Sequence, residues 1–381
     1  MPKKRLLTPG PTQVPEAALL SLARQVTHHR TPEFVGTFAA VQRGLQAVLR
    51  TAEDVIVLAG SGTAGMEAAL VNSVPRGGKV LVLNAGVFAQ RWAKLAAAFD
   101  IEVLEHTVPW GQAVDPADVR RLLVQHPGLH AVCGTLMESS TGVAHDVRAI
   151  GEIVSHSNAL WIVDGISGVG VQECRMDEWG VDVLVVGGQK ALMLPPGLAI
   201  VAASQKAWQA MEQIRPQAFY LDLRLHREKL RSAGSTPWTP AHTLIGALAQ
   251  TLPVLTEPGM EAVWRHARRL GAAARAGGAA IGWRTFALRP ADGMTAFAVP
   301  PGVDATQFLA ILERRYGVKL AAGQLSLKGQ IVRLAHMGLI DELDILSALA
   351  GMELVMAELG QPVTLGSGVA AASQVLLAGL E

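Results

Sequence analysis

The chain has 381 residues, half of them hydrophobic and 17% charged, with a formal net charge of +1. That balance argues against a nucleic-acid partner, which would call for a basic face, and two cysteines argue against a disulfide framework and a cysteine-rich metal site. No apolar run reaches the roughly 18 residues of a membrane helix, so no membrane partner is expected.

The first residues, MPKKRLLTPGPTQVPE, are basic without the apolar core of a secretory signal; a cytoplasmic location is expected. Residues 1–20 read as an N-terminal arm, with a stiff Pro-Gly-Pro bend at 9–11. VIVLAG (55–60) is strand-like and GTAGMEAALVNSV (62–74) helical; KVLVLNA (79–85) is followed by the helix candidate FAQRWAKLAAAF (88–99). IEVLEH (101–106), HAVCGTLM (130–137), ALWIVDG (159–165) and DVLVVGG (182–188) continue the apolar strands. Continuous apolar strands between amphipathic helices imply a mostly parallel sheet covered on both faces, with ligands gathering at the carboxyl ends of the strands. Residues 21–250 are read as one large α/β domain and 251–381 as a smaller α+β domain. The latter carries helices over 260–280, 304–317 and 342–360, and strands around 284–288, 294–300 and 330–338. The tail, VTLGSGVAAASQVLLAGLE, is mildly apolar and free either to pack or to fray.

The polar residues follow the strand-end rule. Gly60 to Gly65 precede a helix, as an anion cradle would; the same letters also describe an ordinary capped strand–helix turn. Glu138 to Gly142 (ESSTG) read equally as a polar loop, and Asp164, at the end of WIVD, as a structural acid. Lys190 follows VVGGQ and precedes ALMLPPG, an apolar frame that a solvated surface lysine does not need. Taken together, a phosphate cradle, a strand-end carboxylate and a strand-end lysine are what pyridoxal phosphate requires: an amine to hold it covalently, a carboxylate for its pyridine nitrogen and amides for its phosphate. The freed lysine is then placed to move a proton. His28 and His29 lack a second cluster at metal-ligand spacing, so no metal is expected. Trp92 and Trp161 read as core.

These blocks, with LLTPGPTQVPEAAL (6–19), THHRTPEF (27–34), SGTAGMEAAL (61–70), ESSTGV (138–143), VDGISGVG (163–170), GGQKALMLPPGLA (187–199) and IVRLAHMG (331–338), carry a resemblance over nearly the whole chain. It resembles the class V, fold-type I pyridoxal-phosphate aminotransferases, near the alanine–glyoxylate and serine–glyoxylate (serine–pyruvate) group. The resemblance implies a mostly parallel seven-stranded sheet in the large domain, a homodimer, and ping-pong transfer from alanine or serine to glyoxylate or pyruvate. By the same resemblance Lys190 matches the Schiff-base lysine, Gln189 a phosphate-holding neighbour, Asp164 the pyridine partner and Ile166 the residue under the ring. Phe88 matches the stacking aromatic, Gly62, Thr63 and Ala64 the phosphate turn, and Thr141 a hydroxyl near the phenolic oxygen. Arg333 matches the substrate-carboxylate clamp, and Gly10 a position too close to substrate for a side chain. Thr236 and Thr239 in STPWTPAH match a segment reaching the neighbouring subunit's phosphate, although relatives have a tyrosine where Thr236 stands.

Alternatives are an aspartate donor, with Arg24, Arg30, Arg43 or Arg91 as a second clamp, and a lyase or desulfurase relative. A desulfurase needs a cysteine on a flexible loop, a setting that neither Cys133 in its predicted strand nor Cys174 provides. A dehydrogenase would leave Lys190 without a task, and SGTAGMEAA lacks the dinucleotide fingerprint.

Overall fold

Seven apolar runs assemble into one sheet: β1 Val55–Ala59, β2 Lys79–Asn84, β3 Glu102–Thr107, β4 Ala131–Thr135, β5 Leu160–Asp164, β6 Val183–Gly187 and β7 Leu198–Ala203. In the computed structural model, which describes residues 2–378, their spatial order is β1-β7-β6-β5-β4-β2-β3. Every pairing is parallel except those of β7, which runs antiparallel to both β1 and β6. Alternate residues serve opposite faces: Val57, Leu81, Val132, Val163, Leu184 and Ile200 pack into one core, while Ile56, Val80, Cys133, Ile162, Val185 and Val201 pack into the other. The six predicted strands of this sheet therefore all form, their ends within a residue or two of those expected, and Leu198–Ala203 joins them as a seventh that is not among the predicted runs.

Helix α1, Pro32–Leu49, has no counterpart among the expected elements. Thr31 caps it by accepting from the Phe34 amide, Pro32 opens its first turn, and Phe34, Phe38, Val41, Leu45 and Val48 form its buried stripe. Helices α2, Gly62–Ser73, and α3, Ala89–Ala98, begin just beyond the carboxyl ends of β1 and β2. Trp92 and Trp161 are fully buried.

A second, antiparallel sheet joins β8 Arg284–Thr285, β9 Met294–Ala298, β10 Ala321–Ala322 and β11 Ile331–Ala335 in the order β8-β9-β11-β10. Helices α4 Met260–Ala280, α5 Ala305–Tyr316, α6 Glu342–Glu358 and α7 Ser367–Ala378 share its core with Phe297, Val332 and Leu334. The tail packs: the buried Glu353 carboxylate of α6 accepts from the Gly366 and Gly368 amides at 2.7 Å each, which ties the start of α7 to α6, and α7 then lies along α4. Residues 379–381 lie outside the described residues.

The N-terminal arm crosses between the two sheets. Arg5–Leu6 pairs in parallel with Val318–Lys319, and the Leu7 carbonyl accepts from the Ala335 amide at 2.9 Å. Further on, the Thr12 amide donates to the Gln189 carbonyl at 3.2 Å and the Thr12 hydroxyl to the Lys190 carbonyl at 2.8 Å.

Candidate active site

Lys190 stands three residues beyond β6, and its Nζ donates to the Pro9 carbonyl of the arm. Burial lowers its pKa from 10.5 to about 8; nearby Asp164 opposes that shift, while Arg333 and Arg91 add to it. Gly10 adopts φ +103, and a Cβ there would lie 2.6 Å from the lysine Nζ, so the arm approaches the amine only because this residue is glycine.

Asp164 closes β5, 4% exposed, and Oδ1 accepts from the Ile166 amide at 2.8 Å. Burial raises its pKa to about 7 against the pull of that amide; Glu138 raises it further, and Arg91 and Lys190 lower it. Glu138 is itself fully buried, and burial pushes its carboxyl up. It accepts from the Ser140 hydroxyl at 2.6 Å and from the amides of Ala89, Ser140 and Phe88 at 2.9, 3.1 and 3.2 Å. The ESSTG loop thereby holds the turn that carries Phe88.

At the start of α2 the amides of Ala64 and Gly65 return to the Ser61 carbonyl, leaving those of Gly62 and Thr63 without an acceptor among the described residues. A Cβ on Gly62 would sit 2.6 Å from Ile166 Cδ1, and one on Gly187 2.9 Å from Ile166 Cγ2. Both glycines are thus required by the isoleucine between them. Gln189 Oε1 is buried without a partner. Arg91 Nη1 donates to the Thr63 hydroxyl at 3.0 Å, and its guanidinium lies 5.1 Å from the Phe88 ring centroid.

Arg333 projects from β11 of the second sheet, 6% exposed. Its Nη1 donates to the Ser139 carbonyl at 2.7 Å, and Nε and Nη2 donate to the Ala322 carbonyl at 3.1 and 2.8 Å. Burial lowers its pKa to about 10. No carboxylate pairs with it among the described residues, so two neutral carbonyls hold the fork in place.

One cavity is lined by Gly62, Thr63, Phe88, Asp164, Ile166, Gln189 and Lys190, seven of the expected residues, together with Ser61, Arg91, Met137 and Ser167. Thr141 is buried close by, its hydroxyl donating to the Glu138 carbonyl at 3.3 Å. Ala64 stands one residue further along the turn, against Gly60. Thr236 and Thr239 lie elsewhere in the chain, in a small groove with Val57, Leu198, Tyr220 and Trp238. The Thr236 hydroxyl is already engaged, donating to the Trp238 carbonyl at 2.6 Å. In the sequence Arg91 stands out only as one of four arginines near the motifs. Its signal was the spacing from Phe88, three residues back, which stacks the two side chains at the start of α3.

The family model described as aminotransferase class V matches residues 6–340. Among curated proteins, the chain is 40% identical to the "Soluble hydrogenase, small subunit" of a Synechococcus strain, covering 98% of each chain. It is 34% identical to the L-aspartate–glyoxylate aminotransferase of Paracoccus denitrificans, covering 97% of this chain and 95% of that one. Among solved structures, the pyridoxamine–pyruvate aminotransferase of Mesorhizobium loti superposes with a TM-score of 0.93 at 29% identity, covering 99% of this chain and 97% of that one.

Proposed function

The chain belongs to the class V aminotransferases, the pyridoxal-phosphate-dependent transaminases, and from that premise we propose that it moves an amino group from alanine or serine to glyoxylate or pyruvate. The observation that carries this reading is the convergence of Lys190, Asp164 and the phosphate-turn amides on one cavity, with Arg333 held beside the Ser139 loop. The cavity lining contains neither cysteine nor histidine, and these side chains, rather than the hydrogenase name of one relative, support the assignment.

The residues fit the cofactor. Two unclaimed amides and the glycines pressed against Ile166 suit a phosphate and a flat ring. When bound, pyridoxal phosphate supplies a carbonyl that takes up an amine and an electron-poor ring that draws electrons from the amino acid's α-carbon. With its pKa near 8, Lys190 is partly neutral at physiological pH, so its Nζ is both a nucleophile and a base for the α-proton. Asp164, with its pKa raised to about 7, would be drawn toward its ionised form by a cation facing it, and its second oxygen would be left to hold the pyridine nitrogen. Arg333 presents a fork already oriented by carbonyls, suited to the α-carboxylate that amino and oxo acids share.

A second reading, an aspartate donor, draws on Arg91 in the cavity and on the Paracoccus relative. A donor and acceptor panel decides between them. The proposed function predicts the highest kcat/KM with alanine or serine, and a yellow protein in which borohydride fixes a pyridoxyl group on Lys190. Aspartate as the best donor supports the second reading, and label on another lysine would remove both.

Residues 235–242 belong, on this reading, to a homodimer interface, with Thr239 turned toward the partner's phosphate. Phe219, 74% exposed, and Tyr220, 43% exposed, cluster with Trp238 beside this segment, an apolar surface that a second subunit would cover. A monomeric sedimentation coefficient at working concentration would exclude it.

A further inference from the structure

We propose that Arg91 serves the phosphate end of the cofactor, acting through Thr63, and not the distal carboxylate of a substrate. The inference rests on the pyridoxal phosphate reading of the cavity. Arg91 is half-buried on the first turn of α3 and lines the same cavity as Lys190. Although Asp164 and Glu138 are close enough to shape the local field, no carboxylate lies within 4.0 Å of its guanidinium among the described residues. It rests on the Phe88 ring and donates to one neutral hydroxyl, so most of its five N–H donors remain unspent.

The hydroxyl is the informative partner. An oxygen that accepts from Arg91 has its own proton left to give, and Thr63 stands in the first turn of α2. Beside it are the unclaimed amides of Gly62 and Thr63. Three donors therefore gather at one place with a full positive charge behind them. That arrangement suits a doubly charged oxyanion better than peptide dipoles alone would. Arg333, the other unpaired guanidinium of the site, enters from the second sheet and is held by Ser139 and Ala322. The two arginines thus attend to different anions, which leaves the substrate with one clamp and favours a donor with one carboxylate.

The test compares two ligands on the full chain freed of cofactor: pyridoxal phosphate and pyridoxal, which share ring and aldehyde and differ in the phosphate. Equilibrium binding is followed by absorbance and by borohydride trapping at Lys190. Arg91→Met should weaken pyridoxal phosphate about tenfold or more, through loss of the positive charge behind the phosphate and of the donor that orients the Thr63 hydroxyl, while changing pyridoxal by less than about threefold. Arg91→Lys, which keeps the charge and loses the fork, should fall between, and it replaces the methionine variant if that one does not fold. Equal weakening of both ligands, or of neither, overturns the inference. So does unchanged binding of both with a KM raised for aspartate and not for alanine, which would place Arg91 on the substrate. Wild-type protein that binds neither ligand at Lys190 would remove the reading of the cavity itself, and the inference with it.

Discussion

Replacing Lys190 with methionine deletes a buried amine and keeps all but the last atom of the side chain's length. In the folded chain the amine loses its proton near pH 8, against 10.5 when unfolded. At about 1.4 kcal/mol per pH unit, holding the charge costs the fold about 3 kcal/mol at neutral pH. Between the two values the unfolded chain binds more protons, so wild-type stability rises with pH across that window. The variant lacks this term but also lacks the hydrogen bond to Pro9, worth about 1 kcal/mol. Cofactor-free Lys190→Met should therefore be more stable than wild type by about 2 kcal/mol at pH 7 and less stable by about 1 kcal/mol at pH 10.5. Urea unfolding of the full chain, followed by far-UV circular dichroism at pH 7, 9 and 10.5, reads the difference directly. A difference that does not change with pH, or a variant weaker at pH 7, would refute the claim that burial of charge sets the state of this lysine. Confirmation would make Lys190 a case of stability given up for reactivity.

Asp164 behaves with the opposite sign. Its pKa rises from 3.8 to about 7 on folding, so the folded chain keeps a proton that the unfolded chain has lost, and stability falls as pH climbs through that interval. Cofactor-free Asp164→Asn should show none of that fall in urea titrations from pH 4 to 7. Its turnover should drop by about two orders of magnitude or more, because an amide cannot stabilise a pyridinium charge. Arg333→Lys should raise KM for amino donor and oxo acceptor alike, by about tenfold, since the charge stays and the bidentate fork goes. Steady-state kinetics showing a rise only for dicarboxylic substrates would make Arg333 a side-chain selector instead.

The strands that lead to Asp164 and Lys190 were legible because burial on both faces writes them as unbroken apolar runs between polar turns. Direction was harder to read. LAIVAA at 198–203 is as apolar as its parallel neighbours, and only the short link from Gly187, too brief for a crossover helix, betrays that it runs the other way. Helix α1 is hard to see in the sequence because its apolar stripe begins inside THHRTPEF, whose histidines, proline and threonines mask the helical period. The partners of Arg333 were beyond reach: Ser139 is 194 residues away along the chain, and the acceptor is a backbone carbonyl, which every residue possesses. The engagement of Thr236 with the Trp238 carbonyl is a local turn bond that competes with any outside partner, and the spelling STPW does not say which will win.

The arm gives the protein a peculiar order of completion. Its residues 5–12 leave the ribosome more than 300 residues ahead of their partners at Val318–Lys319 and Ala335. Until those are made, the Pro9 carbonyl has nothing to fasten it opposite Lys190 from the far side. The seven-stranded sheet is finished by residue 203, so the nascent chain can hold a folded sheet and an open lysine loop at the same time. Closure then depends on contacts of very long sequence separation, the slowest kind to form. A nascent chain in this state would expose the Lys190 amine to any aldehyde in its surroundings before the arm closes beside it.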